Sequence, residues 1–125
     1  MLGAAYTRAA AHPIHLQHLD LSKNSIEGAA VEQLAVGLNL CTSLTSLDLS
    51  INQEIGAPGA RHLAPILKNN TLITDVNLME TGLHPEGLAA LSGSLTSCVN
   101  LKKINLYNNS AGDKGAAYLM PMFDR

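Results

Sequence analysis

The chain of 125 residues contains no tryptophan, and its one phenylalanine and three tyrosines amount to only 3% of it, which excludes a core organised around stacked rings. Hydrophobic residues still make up 46%, so leucine and alanine must supply most of the packing and a core of repeated aliphatic side chains is implied. Charge is also sparse. Charged residues are 14% of the chain, the net charge is −2, and the five lysines and three arginines are scattered rather than clustered, which argues against nucleic acid as a partner. No apolar run approaches the ~18 residues of a membrane helix, because polar residues interrupt every leucine-rich stretch. The first ten residues lack the continuous apolar centre of a secretory signal; with no acid before Asp20, a mitochondrial presequence stands as the alternative to a structural helix there. The sequence also has no hydrolase triad, phosphate loop or zinc-ligand spacing, so no catalysis, cofactor, metal or small-molecule substrate is expected.

What the chain does have is self-similarity, which changes the meaning of every local pattern. Leu16-x-x-Leu19-x-Leu21-x-x-Asn24-x-Ile26 recurs as Leu44-x-x-Leu47-x-Leu49-x-x-Asn52, as Ile73-x-x-Val76-x-Leu78-x-x-Thr81-x-Leu83, and as Leu101-x-x-Ile104-x-Leu106-x-x-Asn109-x-Ala111. The copies start 28, 29 and 28 residues apart, and the odd residue is an insertion in the loop from Asn52 to Ile55. After each motif, residues four apart mark one face of a helix: Ala30, Leu34, Leu38; Gly59, Leu63, Leu67; Gly87, Leu91, Leu95; Gly115, Leu119, Phe123. Pro58 and Pro85 stand at helix starts, where a missing N–H costs least, and Asp113 is a candidate N-cap. The same register run backwards puts Leu2, Tyr6 and Ala10 in helix slots. The expected organisation is therefore one domain, with a half repeat 1–15 and repeats 16–43, 44–72, 73–100 and 101–125, forming part of a longer protein or assembly.

These motifs resemble leucine-rich repeats of the ribonuclease-inhibitor-like class, which includes Ran GTPase-activating protein, tropomodulin-like actin-end binders and innate-immune receptor domains. The resemblance covers the whole chain and implies an α/β solenoid, a right-handed β-α horseshoe arc with a curved parallel sheet inside and helices outside. Strands stack about 4.8 Å apart while helix axes need about 8–10 Å, so such a stack must curve. In the family the asparagine column, here Asn24, Asn52 and Asn109, forms a structural ladder. Thr81 departs from it with a shorter side chain and one donor, which predicts a looser or water-filled third turn.

On the inner strands the outward positions form three columns: His18, Ser46, Asp75, Lys103; then Asp20, Asp48, Asn77, Asn105; then Ser22, Ser50, Met79, Tyr107. Protein-binding candidates are His18, Asp20, Asp48, Asp75, Asn77, Lys103 and Asn105, with Met79, Tyr107 and Ile51 as apolar anchors. Asp20, Asp48, Asp75 and Glu80 lie toward the first three repeats and Lys102 and Lys103 on the last, a gradient suited to orienting a charged partner. His12, His15 and His18 are spaced by three, but Pro13 ends any helix there and an extended chain sends them to different sides, so they are not expected to bind metal. Cys41 and Cys98 occupy the same slot two repeats apart, about 10 Å at the strand-side spacing, too far for a disulfide. Two reduced thiols fit an intracellular protein, cytoplasmic or in a cytoskeletal or ciliary structure.

The function expected is a non-catalytic protein-interaction scaffold using the concave strand face and open ends, with another protein or complex as partner. The alternatives are an architectural subunit of a large cytoskeletal or ciliary complex, and a Ran-type GTPase-activating regulator. The last would need rim residues such as Asn108 and Asn109, since Arg8, Arg61 and Arg125 are all assigned to the helical layer.

Overall fold

In the computed structural model the described residues are 15–38 and 40–110, together with Gly112 and Ala117. The expected N-terminal half repeat, His12, Arg8 and Arg125, Asp113 and the helix through Leu119 lie outside them. Four strands of three residues, β1 (His18–Asp20), β2 (Ser46–Asp48), β3 (Asp75–Asn77) and β4 (Lys103–Asn105), form one parallel sheet in sequence order. Among the described residues three helices alternate with them: α1 (Gly28–Leu38), α2 (Gly56–Asn69) and α3 (His84–Ser97).

The register follows the repeat. Leu19 pairs with Leu47, Leu47 with Val76, and Val76 with Ile104, so the middle residue of every strand points into the core and its neighbours point out. Beyond the strands the ladder continues through Leu21 N–H to Asp48 C=O at 2.8 Å, Leu49 N–H to Asn77 C=O at 3.0 Å and Leu78 N–H to Asn105 C=O at 2.8 Å. Between the layers Leu44, Leu47, Leu49, Ile55, Leu63, Leu67, Ile73, Leu78, Leu83, Leu88, Leu91 and Leu95 are almost wholly shielded. Their counterparts on the two outer strands, Leu16, Leu19 and Leu21 and Leu101, Ile104 and Leu106, are only partly buried. Each strand is covered by its neighbours, as a stack of mutually dependent units requires.

The helices start without Ser, Thr, Asp or Asn caps. Instead the first N–H of each reaches the loop carbonyl of the following repeat: Gly28 to Glu54 at 3.1 Å, Gly56 to Thr81 at 2.9 Å, and His84 to Asn109 at 2.9 Å. Lateral stacking thus satisfies a donor that a local cap would otherwise take. The inward face of α1 differs from the spacing-based expectation, for Ala30 is exposed and Val31 is fully buried beside Leu34 and Leu38. At the start of α1 the two helices come close, with Gly28 against Gly59; a β-carbon on Gly28 would lie 3.0 Å from the Ile55 carbonyl oxygen and 3.1 Å from the Gly59 nitrogen.

Of the three asparagines, Asn52 and Asn109 bond across repeats through their side chains, while the exposed Asn24 donates to the Ser22 carbonyl of its own turn at 2.9 Å. Asn52 Oδ1 accepts from Asn24 N–H at 3.0 Å and Ile26 N–H at 2.9 Å, while its Nδ2 donates to the Leu21 and Leu49 carbonyls at 3.1 and 2.8 Å. Asn109 repeats the pattern on Thr81 and Leu83 N–H, both at 3.1 Å, and on the Leu78 and Leu106 carbonyls at 2.7 and 3.0 Å. Thr81, by contrast, is fully buried, with its hydroxyl 2.8 Å from the Leu78 carbonyl. The expected loosening of that turn does not occur. The loop it would serve carries the extra residue and is closed by backbone bonds, one across to the next repeat, Asn52 N–H on Glu80 C=O at 3.1 Å, and one within the loop, Ile55 N–H on Asn52 C=O at 3.1 Å. The amides an asparagine would have served are already bonded. Gly82 completes the fit: at φ +66° it lacks the β-carbon that would fall 2.3 Å from the Gln53 carbonyl oxygen of the longer loop.

Candidate functional site

The strands display alternate residues away from the core, so the expected columns line the face opposite the helices. Ser46 stands between His18 and Asp75, and Asp75 opposite Lys103; Asp20, Asp48, Asn77 and Asn105 form the adjoining row. Between these rows runs a shallow groove of about 310 Å³, lined by Ser46, Asp48, Asp75, Asn77, Lys103 and Asn105. His18, Asp20, Lys103 and Asn105 are exposed, and Asp48, Asp75 and Asn77 half-buried.

The second row has a double role that sequence spacing did not reveal. Asp20 Oδ1 accepts from the Ser22 amide at 3.0 Å and hydroxyl at 2.7 Å, and Asp48 Oδ1 from the Ser50 amide at 2.9 Å and hydroxyl at 2.6 Å. Asn77 and Asn105 take the amides of Met79 and Tyr107 at 3.1 and 3.0 Å. Each side chain closes the turn at its strand's end, leaving Oδ2 in the first two repeats and Nδ2 in the last two. The row therefore changes from acceptor to donor along the sheet. The Ser22 amide, and then its hydroxyl, hold the Asp20 carboxyl below the usual carboxylate range. The D-x-S pattern of the first two repeats is the signal that was available for these bonds.

In the third column Tyr107 is 67% exposed, Met79 half-buried, and Ser50 only 4% exposed. Ser50 is thus a turn residue bound to Asp48 and not a contact surface. Ile51 is half-buried, on the loop leaving β2. Among the described residues the concave carboxylates have no ion pair; the pair that exists, His62 Nε2 to Glu32 Oε2 at 3.5 Å, lies on the helical side. Asp75 and Lys103 are register neighbours with no ion pair between them, so the acidic and basic ends of the face remain open to solvent.

The described residues hold no group of three or more His, Cys, Asp or Glu side chains able to share a metal ion, and no described helix is long and apolar enough to cross a membrane. Cys41 and Cys98 are buried cysteines in the helix-to-strand turns, with Sγ 3.5 Å from the Leu16 carbonyl and 3.3 Å from the Ser94 carbonyl respectively. Asn109 is committed to the ladder and Arg61 is exposed on α2, so the two rim asparagines reduce to Asn108, whose Nδ2 donates to Glu80 Oε1 at 3.1 Å. One feature was absent from the sequence reading altogether: a polar cleft of about 700 Å³ at the strand-exit rim, with Gln53, Glu80, His84, Asn108 and Ser110 in its walls.

Comparison with known proteins agrees with this geometry. The chain is 33% identical over 108 residues to the ribonuclease inhibitor of Sus scrofa, covering 86% of this chain and 24% of that protein. It is 29% identical over 114 residues to the protein phosphatase 1 regulatory subunit 37 homolog of Caenorhabditis elegans, covering 90% of this chain and 12% of that one. A Tonsoku-like protein of Bos taurus matches at 43% over 53 residues, 42% of this chain and 4% of its own length. The chain thus spans about a quarter or less of the relatives it matches. The leucine-rich repeat family model matches residues 12–35, 40–64 and 69–92, and with the parallel sheet and outer helices described above the chain belongs to the leucine-rich repeat family, in its ribonuclease-inhibitor-like form.

Proposed function

We propose that this chain is a non-catalytic scaffold that binds another protein through its concave strand face. The observation that carries the reading is the combination of an exposed aromatic, Tyr107, with carboxylates that have no ion pair, all on a short-stranded sheet whose backbone is fixed by the ladder. Rigid aromatic anchors and unsatisfied charge on a preorganised surface are what protein recognition uses. Two relatives have names that fit: one is an inhibitor of ribonuclease and the other a regulatory subunit of a phosphatase. Both act on a second protein. The candidate contact set is His18, Asp20, Asp48, Ile51, Asp75, Asn77, Met79, Lys103, Asn105 and Tyr107.

The buried thiols support an intracellular setting. An architectural role through the helical side has its own supporting observation, a groove between α1 and α2 floored by Ala35, Val36 and Pro65, with Val36 52% exposed. Lysine cross-linking of the protein in cell extract separates the two. Links from Lys23, Lys102 or Lys103, with binding of the linked protein lost in Tyr107→Ala and Asp48→Lys, are expected; links from Lys68 alone would overturn the concave reading. Acceleration of GTP hydrolysis by a small GTPase would revive the regulator reading.

A further inference from the structure

The groove across β2, β3 and β4 is polarised in the same sense in both of its rows. In the first row Ser46 and Asp75 are followed by Lys103, and in the second Asp48 is followed by Asn77 and Asn105. Asp48 has Oδ1 taken by the Ser50 amide and hydroxyl, which leaves Oδ2 as an acceptor. Asn77 and Asn105 have Oδ1 on the Met79 and Tyr107 amides, which leaves Nδ2 as a donor in each. The Asp75 carboxylate is half-buried in the groove and makes no hydrogen bond or ion pair with the described residues, although Lys103 is its register neighbour. Acceptors therefore gather toward β2 and donors toward β4.

This polarity limits what the groove accommodates. A uniformly basic segment would set a charge against Lys103, and a uniformly acidic one against Asp48 and Asp75, and like charges brought together across an interface are costly. An apolar segment would cover the Asp75 carboxylate without giving it a partner. A segment with one charge of each sign meets neither cost. Neighbouring strands lie about 4.8 Å apart, so the midline between Asp48 and Asp75 stands about 7 Å from the strand that carries Lys103. Alternate residues of an extended chain share a face and are about 6.6 Å apart. An extended segment laid across the strands thus reaches both ends of the groove with residues two apart.

We propose that the groove takes an extended segment of the partner protein that carries an arginine and an acidic residue two positions apart, with the guanidinium between Asp48 and Asp75 and the carboxylate on Lys103 and the side-chain amides of Asn77 and Asn105. This rests on the concave-face reading above and adds to it the charge order of the partner. Arginine fits the acceptor end because its planar fork of five donors serves two carboxylates on adjacent strands, whereas the ammonium of lysine is a point charge.

The test uses two capped decapeptides of glycine and serine, one with Arg-Thr-Glu at its centre and one with Gln-Thr-Gln, titrated into the isotope-labelled whole chain and followed by amide chemical shifts. The charged peptide should perturb residues 46–48, 75–77 and 103–105 and weaken at least threefold when salt rises from about 50 mM to about 300 mM. Asp75→Asn and Lys103→Gln should each weaken it about threefold. Exchanging the peptide's glutamate for glutamine should weaken binding to the unaltered chain by a similar factor and cause no further loss with Lys103→Gln. That comparison varies the peptide, so it does not depend on the stability of a variant. Equal binding of the two peptides, shifts confined to other residues, or no shifts at about 5 mM peptide would overturn the proposal. Cross-links from Lys23 or Lys102 to a partner that persist undiminished in Asp75→Asn would overturn the charge order and leave the concave scaffold reading intact.

Discussion

Replacing the ladder asparagines one at a time by alanine should give a graded series of losses set by burial and by the number of bonds each makes. Asn109→Ala removes the acceptor of two buried N–H groups, those of Thr81 and Leu83, and the donor to the carbonyls of Leu78 and Leu106. A buried polar group left without a partner costs about 1–3 kcal/mol. Water entering the vacated space recovers part of that, so a net loss of about 3–5 kcal/mol is expected, a large share of the roughly 5–15 kcal/mol stability of a domain. Asn52→Ala should cost about the same, because Asn52 is 1% exposed and makes the equivalent bonds. Thr81→Ala removes a single neutral hydroxyl bond and should cost about 1 kcal/mol. Asn24 is exposed and, among the described residues, its amide donates only to the Ser22 carbonyl at 2.9 Å, so Asn24→Ala should stay within about 0.5 kcal/mol. Urea unfolding followed by circular dichroism measures the series. A cost for Asn24→Ala equal to that for Asn109→Ala, or a cost for Asn109→Ala below about 1 kcal/mol, would refute the reasoning that the bonds across repeats carry the stability.

Gly82→Ala should destabilise by more than about 1 kcal/mol, since it adds left-handed strain to a β-carbon 2.3 Å from the Gln53 carbonyl oxygen; deleting Gln53 in the same chain should recover part of the loss, as read by thermal melts. The Asp20 carboxyl should titrate below its ordinary value of 3.8, and Ser22→Ala should move it back toward that value in a carbon-detected NMR pH titration. Because the folded value is the lower one, the contribution of Asp20 to stability is present above the unfolded value and fades as pH falls through the folded one.

Much of the fold was legible because the repeat fixes phase. Leu19, Leu47, Val76 and Ile104 share a slot in the sequence and a row in the sheet, and a single-residue slip would have turned all of them to solvent. The cross-repeat bonds of Asn52 and Asn109 follow the same phase. The departures arise where neighbouring repeats differ. Ala30 and Val31 both satisfy helical spacing relative to Leu34 and Leu38, and spacing by itself does not decide that Val31 is the one buried. Thr81 looked deficient in its own repeat, but the acceptor it lacks is made unnecessary by the insertion in the repeat before it. The concave columns were placed by alternation alone. Their turn-closing bonds were not, because alternation says which way a side chain points and not how much of it is already engaged.

Trans-hydrogen-bond scalar couplings in an isotope-labelled sample test the stacked arrangement most directly. Couplings are predicted from the Leu21 amide to the Asp48 carbonyl, from Leu49 to Asn77 and from Leu78 to Asn105, each joining one repeat to the next in the register of the sheet. Couplings from these amides to other carbonyls, or to none, would contradict the in-register solenoid on which the concave surface depends.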